Sequence, residues 1–392
     1  MRIAIIGSRG FLTDYGGFET LVRRLALGLK KKDYEVTVYG LRRYHNTIND
    51  DEYPGVRRVW VPSIGLKYLE KVSATLLSTI HATFSKNEII LLLGVSSALL
   101  VWLPLTFGKK IVVNIDGIEW QRNKWPRFVS FFLFLSEVLC VKLCHLIVAD
   151  SKKIADYIKV KYGRGSIFIP YGAETNNKVE ASDKRILAQY GLRAKRYFIQ
   201  VCRLEPENNC HVVIGEFINY SGDKEMVIIG DTPHSVSYKK RVMNKTDGRV
   251  KFLGAIYGGN YRVLLRNAYC YVHGHEAGGT NPALLEAMAS ERCPLVLDVP
   301  YNREVIADCG MSFNKKPYDL LRKLQIADKN PVLVKSYGKY ALRRVNECYT
   351  WKKVIADYDE AFRALCRHHG KEGFKVLFLN ITISSLHIFL SS

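Results

Sequence analysis

Short apolar runs recur along the chain and alternate with stretches whose apolar positions repeat at helical spacing. Continuous apolar runs are typical of strands buried on both faces of a parallel sheet, with helices as the crossover connections. In the first half the strand-like runs are 2–7, 35–40, 56–61, 89–93, 111–115, 146–149 and 166–169. In the second half they are 197–201, 226–230, 250–254, 268–272 and 294–297. The alternation predicts an α/β protein with two doubly wound domains, 1–176 and 177–350.

The end of the chain departs from this alternation. Residues 351–366 have the pattern of an amphipathic helix, which we expect to pack back on the first domain. The tail that follows, 367–392, contains an apolar, β-branched run at 374–390. Such a run suits an edge strand, a contact with a membrane surface or an ill-ordered tail, and the sequence does not choose among these.

One segment has the length and composition of a membrane span, because residues 89–107 carry no charge. However, 89–94 has the pattern of a central strand, Ser96 or Ser97 can cap a short helix, and Pro104 would break a long one. We therefore predict a strand, a short helix and another strand. The first strand of the chain begins at residue 2, which leaves no room for a signal peptide, so we expect a cytoplasmic protein.

The formal net charge is +21, and the excess is spread over both halves of the chain. Such a field favours phosphorylated substrates, polyanions or anionic lipid surfaces. No signature of a nucleic-acid recognition module accompanies the charge, so nucleic acid is not an expected partner.

The nine cysteines include no Cys-x-x-Cys pair and mostly lie in apolar segments. This pattern indicates free, buried thiols in a reducing compartment. Cys140, Cys144 and His145 are close enough in sequence for a metal site, but core packing is the better explanation. The sequence has an Asp-x-Asp only at 357–359, inside the predicted amphipathic helix, and Asp50-Asp51 has no matching acidic group. We therefore predict neither a metal nor another cofactor.

A polar, glycine-rich loop at 273–282 runs directly into an apolar helical segment. Pro282 suits the first turn of that helix, and Thr280 or Asn281 suits its N-cap. The free N–H groups and the positive dipole end of such a helix can hold a phosphate. Glu286 lies about one helical turn further along, where its carboxylate can accept hydrogen bonds from sugar hydroxyls. The alternative is a solvated turn before a capped helix.

The first strand is followed by a glycine-rich loop and an amphipathic helix, the order found in the nucleotide-binding half of a doubly wound sheet. A dinucleotide fingerprint needs a glycine where Arg9 stands and an acidic residue after the second strand, where Leu41-Arg42-Arg43 follow instead. The sequence therefore argues against an NAD-binding enzyme.

Four separate motifs resemble those of the glycosyltransferase family 4 enzymes. The closer similarity is to a bacterial subgroup of rhamnosyltransferases that build capsular, O-antigen or cell-wall polysaccharide. The four motifs are, in chain order, 7–20, 116–122, 203–209 and 273–286. The resemblance covers roughly residues 1–365 and implies the GT-B fold, two doubly wound Rossmann-like domains facing a central cleft.

The resemblance and the chemistry of a leaving diphosphate together suggest roles for individual residues. Arg203 is the first choice to hold the diphosphate, because a guanidinium binds phosphate in a bidentate way. The predicted donor-binding residues are Gly16, Gly17, Arg203, Asn208, Gly279, Thr280, Asn281 and Glu286, with Glu286 on the nucleotide ribose. The predicted catalytic residues are Asp116, Glu119 and Glu276. The predicted acceptor-binding residues are Tyr15, Phe18, Glu19, Trp120 and Arg122.

The sequence departs from the broader family at two positions, and the rhamnosyltransferase subgroup shares both departures. Gly278 stands where the broader family has the first glutamate of a Glu-x7-Glu pattern, and the nearest acid is Glu276. Asn208 or Asn209 stands where a lysine is usual, so one cation for the diphosphate is missing.

The function that the resemblance implies is a hexosyltransferase, with retention at the anomeric carbon. It would move rhamnose from dTDP-rhamnose to a sugar on a lipid diphosphate, as a peripheral protein on the inner face of the cell membrane. The expected partners are therefore the nucleotide-sugar donor, the lipid-linked saccharide acceptor and an anionic membrane surface. Two alternatives stay open: a GT-B transferase with a UDP-sugar or GDP-sugar donor, and a basic scaffold that binds membrane or nucleic acid without catalysis.

Overall fold

The computed structural model describes residues 1–10, 16–47, 53–65, 69–122, 125–175, 179–232 and 235–367. The chain divides into two compact units. Unit 1 is Met1–Pro170 together with the chain from Lys352 onward, and unit 2 is Tyr171–Trp351.

Unit 1 contains one parallel sheet of seven strands. The strands are β1 (Arg2–Ile6), β2 (Glu35–Leu41), β3 (Arg57–Val61), β4 (Ile89–Leu93), β5 (Lys110–Ile115), β6 (Leu146–Ala149) and β7 (Ile167–Phe168), in the spatial order β3-β2-β1-β4-β5-β6-β7. The helices between them are α1 (Gly17–Lys30), α2 (Leu69–Phe84), α3 (Trp102–Thr106), α4 (Arg127–Leu143) and α5 (Lys152–Tyr162). Ile3 on β1 pairs with Val36 on one side and Ile89 on the other, and all three are buried. The sequences of these strands are apolar at successive positions because helices cover both faces of the sheet.

Unit 2 repeats this architecture with six parallel strands. They are β8 (Tyr197–Val201), β9 (Glu225–Ile229), β10 (Val250–Phe252), β11 (Cys270–His273), β12 (Cys293–Leu297) and β13 (Met311–Phe313), in the order β10-β9-β8-β11-β12-β13. The helices are α6 (Asp183–Gln189), α7 (Cys210–Phe217), α8 (Val236–Met243), α9 (Gly258–Asn267), α10 (Pro282–Ala289), α11 (Pro300–Ile306), α12 (Asp319–Lys329) and α13 (Pro331–Cys348). The prediction of two doubly wound α/β domains is confirmed, although it lacked β13, which is short and has a polar centre at Ser312.

The last described helix, α14 (Trp351–Arg367), packs on unit 1. The Asp359 carboxylate accepts hydrogen bonds from Lys32 Nζ at 2.8 Å and from the Tyr34 hydroxyl at 2.6 Å. Burial raises the pKa of Asp359, but these bonds and one from Arg363 outweigh it and hold the pKa at about 2. The helix therefore returns to the first sheet through a buried, ionised contact. The apolar run predicted at 374–390 lies outside the described residues.

The uncharged segment 89–107 forms a strand, a short helix and the approach to the next strand, as predicted. The predicted cap at Ser96 or Ser97 is wrong, because both serines lie in a 3-10 turn and α3 begins after Val101. Within the described ranges, no helix is both long and apolar enough to cross a membrane. Cys140 and Cys144 are buried in the core of unit 1, and burial raises the pKa of the Cys140 thiol.

Candidate functional site

The centre of the unit 2 sheet has the topology of a ligand site. The connections from β8 lead to β9 and β10 on one side, whereas those from β11 lead to β12 and β13 on the other. β8 and β11 are neighbours, so their carboxyl ends mark the point where the winding reverses. Ligands of open α/β sheets bind at this point, beyond the carboxyl ends of the strands. The loops that follow β8 and β11 contain the predicted donor-binding residues of unit 2.

These two loops are joined by hydrogen bonds and by close packing. Asn209 Nδ2 donates to the Gly274 carbonyl at 2.9 Å and to Glu276 Oε2 at 2.7 Å. A Cβ atom on Gly274 would lie only 2.6 Å from the Asn208 carbonyl oxygen, so the backbones approach to a distance that only glycine permits. The loop after β8 and the loop after β11 therefore form one structure.

Arg203 lies at the open edge of this structure. Its side chain is 61% exposed, and its Nη1 is 3.9 Å from Glu205 Oε1. The backbone of its loop is held by a hydrogen bond, because buried Asn208 donates its Nδ2 to the Arg203 carbonyl at 2.7 Å. Gln200 Nε2 in turn donates to the Asn208 carbonyl at 3.1 Å. Asn208, predicted to bind the donor, thus uses its amide to position the loop that presents Arg203.

Helix α10 begins at the same edge with a well-formed cap. Asn281 Oδ1 accepts a hydrogen bond from the Ala283 N–H at 3.0 Å, and Pro282 takes the first helical position. Before the cap, Gly278 has a φ of 116°, a conformation that favours glycine, Gly279 follows it, and Thr280 is buried. The sequence-based prediction of this cap is confirmed, and the N-terminal N–H groups of the helix follow the loop after β11, which hydrogen-bonds to the loop of Arg203.

Glu286 is partly buried on α10, and a tyrosine orients it. The Tyr261 hydroxyl, on α9, donates to Glu286 Oε2 at 2.7 Å. This bond helps to fix the orientation of the carboxylate. Sequence reasoning missed Tyr261, since only the packing of α9 against α10 brings it to Glu286.

Glu276, predicted as catalytic, forms an ion pair with Lys315, which follows β13. Burial raises the pKa of Glu276, but hydrogen bonds from Lys315 and Asn209 outweigh it and leave the pKa below its usual range. Glu276 is therefore ionised, and it connects its loop to Asn209 and to Lys315. Lys315 is a cation at this edge of unit 2 that the sequence motifs did not indicate.

Two stacked histidines, buried His273 and half-buried His275, lie where β11 passes into this loop. The rings of His273 and His275 stack with centroids 4.3 Å apart, and the Tyr271 hydroxyl lies 3.2 Å from His273 Nδ1. Burial is the main cause that lowers the pKa of His273 well below its usual value, and the neighbouring His275 is the second. This ring is therefore neutral near pH 7. Asn302 Nδ2 donates to the His275 carbonyl at 2.9 Å and holds the loop from the far side.

The predicted residues of unit 1 follow the carboxyl ends of its own strands. In this sheet the winding reverses between the neighbouring strands β1 and β4. Gly16 caps α1 and Gly17 is its first residue. The buried Glu19 carboxylate accepts a hydrogen bond from the Arg9 N–H at 3.3 Å. The ring of Phe18 packs against Gly94 at the end of β4. Tyr15 lies outside the described residues.

The segment that follows β5 carries a carboxylate with an altered pKa. Burial and then the negative charge of Glu119 raise the pKa of Asp116 to about 6, against the opposing charges of Lys71 and Arg122. Glu119 itself is paired with Arg122 at 2.7 Å. A carboxylate that changes charge near pH 6 beside cations is suited to bind or deprotonate a hydroxyl group.

Trp120 belongs to the same segment, but its indole is held by the protein. Its Nε1 donates to the Tyr157 hydroxyl at 3.2 Å and to Glu137 Oε1 at 3.3 Å. Lys161 Nζ lies 4.5 Å above the ring centroid. The indole therefore fixes the segment to α4 and α5, and any contact with an acceptor would use the remaining ring edge. Among the described residues, no group of three or more His, Cys, Asp or Glu side chains could hold a metal ion.

Two family models match separate parts of the chain. Residues 183–344 match the family model described as Glycosyl transferases group 1. Residues 1–174 match a separate model, described only as a domain of unknown function, DUF1972.

Individual relatives and solved structures are similar to larger parts of the chain. The O-antigen chain mannosyltransferase RfbU of Salmonella typhimurium is 25% identical over 247 residues, which cover 62% of this chain and 67% of that protein. Sucrose-phosphate synthase from Thermosynechococcus elongatus aligns with a TM-score of 0.80 at 16% identity, over 94% of this chain and 99% of that one. Anabaena HepE in complex with UDP-glucose aligns with a TM-score of 0.76 at 14% identity, over 93% and 99%. These structural neighbours confirm the predicted GT-B fold.

Proposed function

We propose that this protein transfers a sugar from a nucleotide-sugar donor to a lipid-linked saccharide in the synthesis of a bacterial surface polysaccharide. The observation that carries the proposal is the joined pair of loops at the winding reversal of unit 2. These loops place the exposed Arg203, the N-terminus of α10 and the oriented Glu286 at one edge of a glycosyltransferase group 1 domain.

Each of these groups suits one part of a nucleoside diphosphate sugar. The Arg203 guanidinium and the N–H groups of α10 match the charge of a diphosphate that leaves during transfer. The Glu286 carboxylate matches a ribose hydroxyl, because a carboxylate accepts hydrogen bonds from sugar hydroxyls. Lys315 supplies a cation at the same edge, in a sequence that lacks the lysine usual after the arginine of this loop. No metal is required for this arrangement, because cationic side chains and N–H groups meet the charge.

The donor we propose is dTDP-rhamnose, transferred with retention. The support is the set of four motifs that resemble the rhamnosyltransferase subgroup of glycosyltransferase family 4. A mannosyl donor is the second candidate, since the relative RfbU is described as a mannosyltransferase. In this proposal the loops of unit 1 bind the acceptor, and Asp116 contacts the acceptor hydroxyl. The protein acts at the inner face of the cell membrane.

A panel of nucleotides tests this proposal by thermal shift. At one hundred times its Kd, a ligand stabilises the folded protein by about 2.7 kcal/mol, which raises the melting temperature of a domain of this size by roughly 5–10 °C. We expect this shift with dTDP and none with NAD. A shift with GDP in place of dTDP would reassign the donor, and no shift with any nucleotide would favour the non-catalytic scaffold. Incubation with dTDP-rhamnose and a lipid-diphosphate sugar, followed by NMR of the anomeric linkage, tests both the donor and retention.

Replacement of Glu286 by glutamine tests the ribose contact. We expect dTDP and the intact donor to bind about tenfold more weakly, because the variant keeps the shape but loses a charged hydrogen-bond acceptor. Titration calorimetry measures both affinities. Tyr261→Phe is the matched control: it leaves the carboxylate charged but unoriented, so we expect a smaller loss. Equal affinities in wild type and E286Q would show that Glu286 is a helix-face carboxylate outside the site.

A further inference from the structure

Helix α4 carries an apolar face that no described residue covers. Phe128, Phe131, Phe132 and Leu135 follow one another at helical spacing, and we call these four residues the α4 stripe. The three phenylalanines are 63%, 61% and 53% exposed. The opposite side of the helix is buried in the core of unit 1, at Leu133, Ser136, Glu137, Cys140 and Val141. The helix is thus apolar on both sides, whereas a surface helix is ordinarily polar on its outer side.

Other exposed aromatic residues lie on the same face of the sheet as this stripe. The crossovers from β3 to β4, β4 to β5 and β5 to β6 all step in one direction across the sheet, so the right-handed rule places α2, α3 and α4 on one face. Phe84 ends α2, Trp102 begins α3, and Phe107 follows α3; all three are exposed. Of the exposed phenylalanines in the part of the chain that the structure describes, every one belongs to this face.

The segment of the chain that contains these aromatic residues has a positive net charge. Between residues 71 and 149 the sequence has eight lysines and arginines against four aspartates and glutamates. Of those four acids, Glu137 is buried and Glu119 is paired with Arg122. Arg127 and Lys142 lie near the two ends of α4, and both are exposed. A face of this kind matches the interface of an anionic bilayer, where aromatic side chains enter the headgroup region and cations contact the headgroups.

The inner side of α4 contacts the candidate acceptor segment. Glu137 Oε1 accepts hydrogen bonds from Trp120 Nε1 at 3.3 Å and from the Tyr157 hydroxyl at 2.6 Å. Ser136 Oγ donates to the Val95 carbonyl, beyond the end of β4. Only four residues separate Arg122 from the start of α4 at Arg127. One helix therefore has an apolar stripe on its outer side and holds the acceptor segment with its inner side.

We propose that the α4 stripe docks this protein on an anionic lipid bilayer and so places the Asp116–Arg122 segment beside the membrane surface. The inference rests on the proposed function for the identity of the acceptor, a sugar on a lipid diphosphate. The vesicle contact itself follows from the exposure and charge of α4 and stands separately from the donor assignment.

The test is flotation of the full-length protein with vesicles of phosphatidylcholine alone or mixed with phosphatidylglycerol. We expect wild type to float with the anionic vesicles and F128S/F131S/F132S to partition at least about tenfold more weakly, at low and at high salt. We expect R127Q/K142Q to lose binding mainly at low salt, because screening already weakens the charge contribution at high salt. Triple-variant binding equal to that of wild type would overturn the proposal.

A matched control replaces three exposed apolar residues of unit 2, as V236S/M243S/V332S, which we expect to bind vesicles like wild type. Two other results would also overturn the proposal. If deletion of residues 368–392 abolishes vesicle binding, the tail and not the stripe makes the membrane contact. If light scattering shows a dimer that the triple variant converts to a monomer, a second copy covers it.

Activity separates this inference from the proposed function. With an acceptor made water-soluble by a short lipid chain, we expect the triple variant to turn over like wild type. With the same sugar on a vesicle-embedded lipid, we expect at least about tenfold less product. If wild type transfers no sugar from any donor while the triple variant still loses vesicle binding, the proposed function fails and the docking inference stands. If the triple variant matches wild type on vesicle-embedded acceptor, the docking inference fails.

Discussion

Replacing Arg203 by alanine is expected to reduce sugar transfer by about 30-fold to 1,000-fold while the protein stays folded. The charged contact to a leaving diphosphate contributes on the order of 2–4 kcal/mol to transition-state stabilisation, and each 1.4 kcal/mol is a factor of ten in rate. The side chain is exposed and its one ion-pair contact is long, so its removal has little effect on the fold. Steady-state rates with saturating donor, together with thermal melting, measure the two effects separately.

Two further variants make this result specific. Arg203→Lys keeps the positive charge but loses the bidentate geometry, so its rate should fall between those of wild type and the alanine variant. Arg322→Ala removes a comparably exposed arginine from α12, with 65% of its side chain accessible, and should transfer sugar like wild type. If R203A turns over within a factor of three of wild type, Arg203 does not contact the diphosphate.

Replacing Asp116 by asparagine is expected to reduce turnover about 100-fold or more and to remove a pH dependence. Burial and the charge of Glu119 raise the pKa of Asp116 to about 6, so its fraction of carboxylate increases as the pH rises through 6. If the carboxylate accepts a hydrogen bond or proton from the acceptor hydroxyl, kcat/KM rises over the same interval in the wild type. The asparagine variant has no group that titrates there, so its low activity should lack this rise.

The same variant should be more stable than wild type at neutral pH. A carboxyl group whose pKa is higher in the folded protein than in the unfolded chain opposes folding once it is ionised. This cost is complete above about pH 6, decreases as the pH falls, and disappears below the unfolded pKa near 4. D116N should therefore melt at a higher temperature than wild type at pH 7.5 and at the same temperature near pH 4. A catalytic role is consistent with a residue that costs stability in this way.

Glu119→Gln supplies the matched control for Asp116. Removal of the neighbouring negative charge lowers the pKa of Asp116, so the rise in kcat/KM should move to lower pH while turnover on the plateau changes less than in D116N. An E119Q profile identical to that of wild type, or a D116N variant with near-normal turnover, would remove the Asp116 carboxylate from the reaction.

The strands and the principal caps were predictable because they depend on local pattern. A strand covered on both faces must be apolar at successive positions, and the runs at β1, β4 and β8 show this directly. The cap of α10 was predictable for the same reason, since Asn281 and Pro282 act on backbone groups within two residues of themselves. β13 was missed because three residues with a polar centre do not form a recognisable run.

The sequence alone determined the fold class, the two domains and the loops in which candidate site residues lie, because burial and capping act over a few neighbouring residues. The tertiary structure decided which side chains meet. Tyr261 orients Glu286 from 25 positions away, Lys315 pairs with Glu276 from 39, and Asn209 reaches Glu276 across 67. These contacts depend on the order of the strands in the sheet. Local periodicity does not predict them, because the loops come together only when their strands become neighbours. Trp120 is a further example. Its motif suggested a contact with the acceptor, but its indole N–H donates to residues of α4 and α5, which come close only when these helices pack on the sheet.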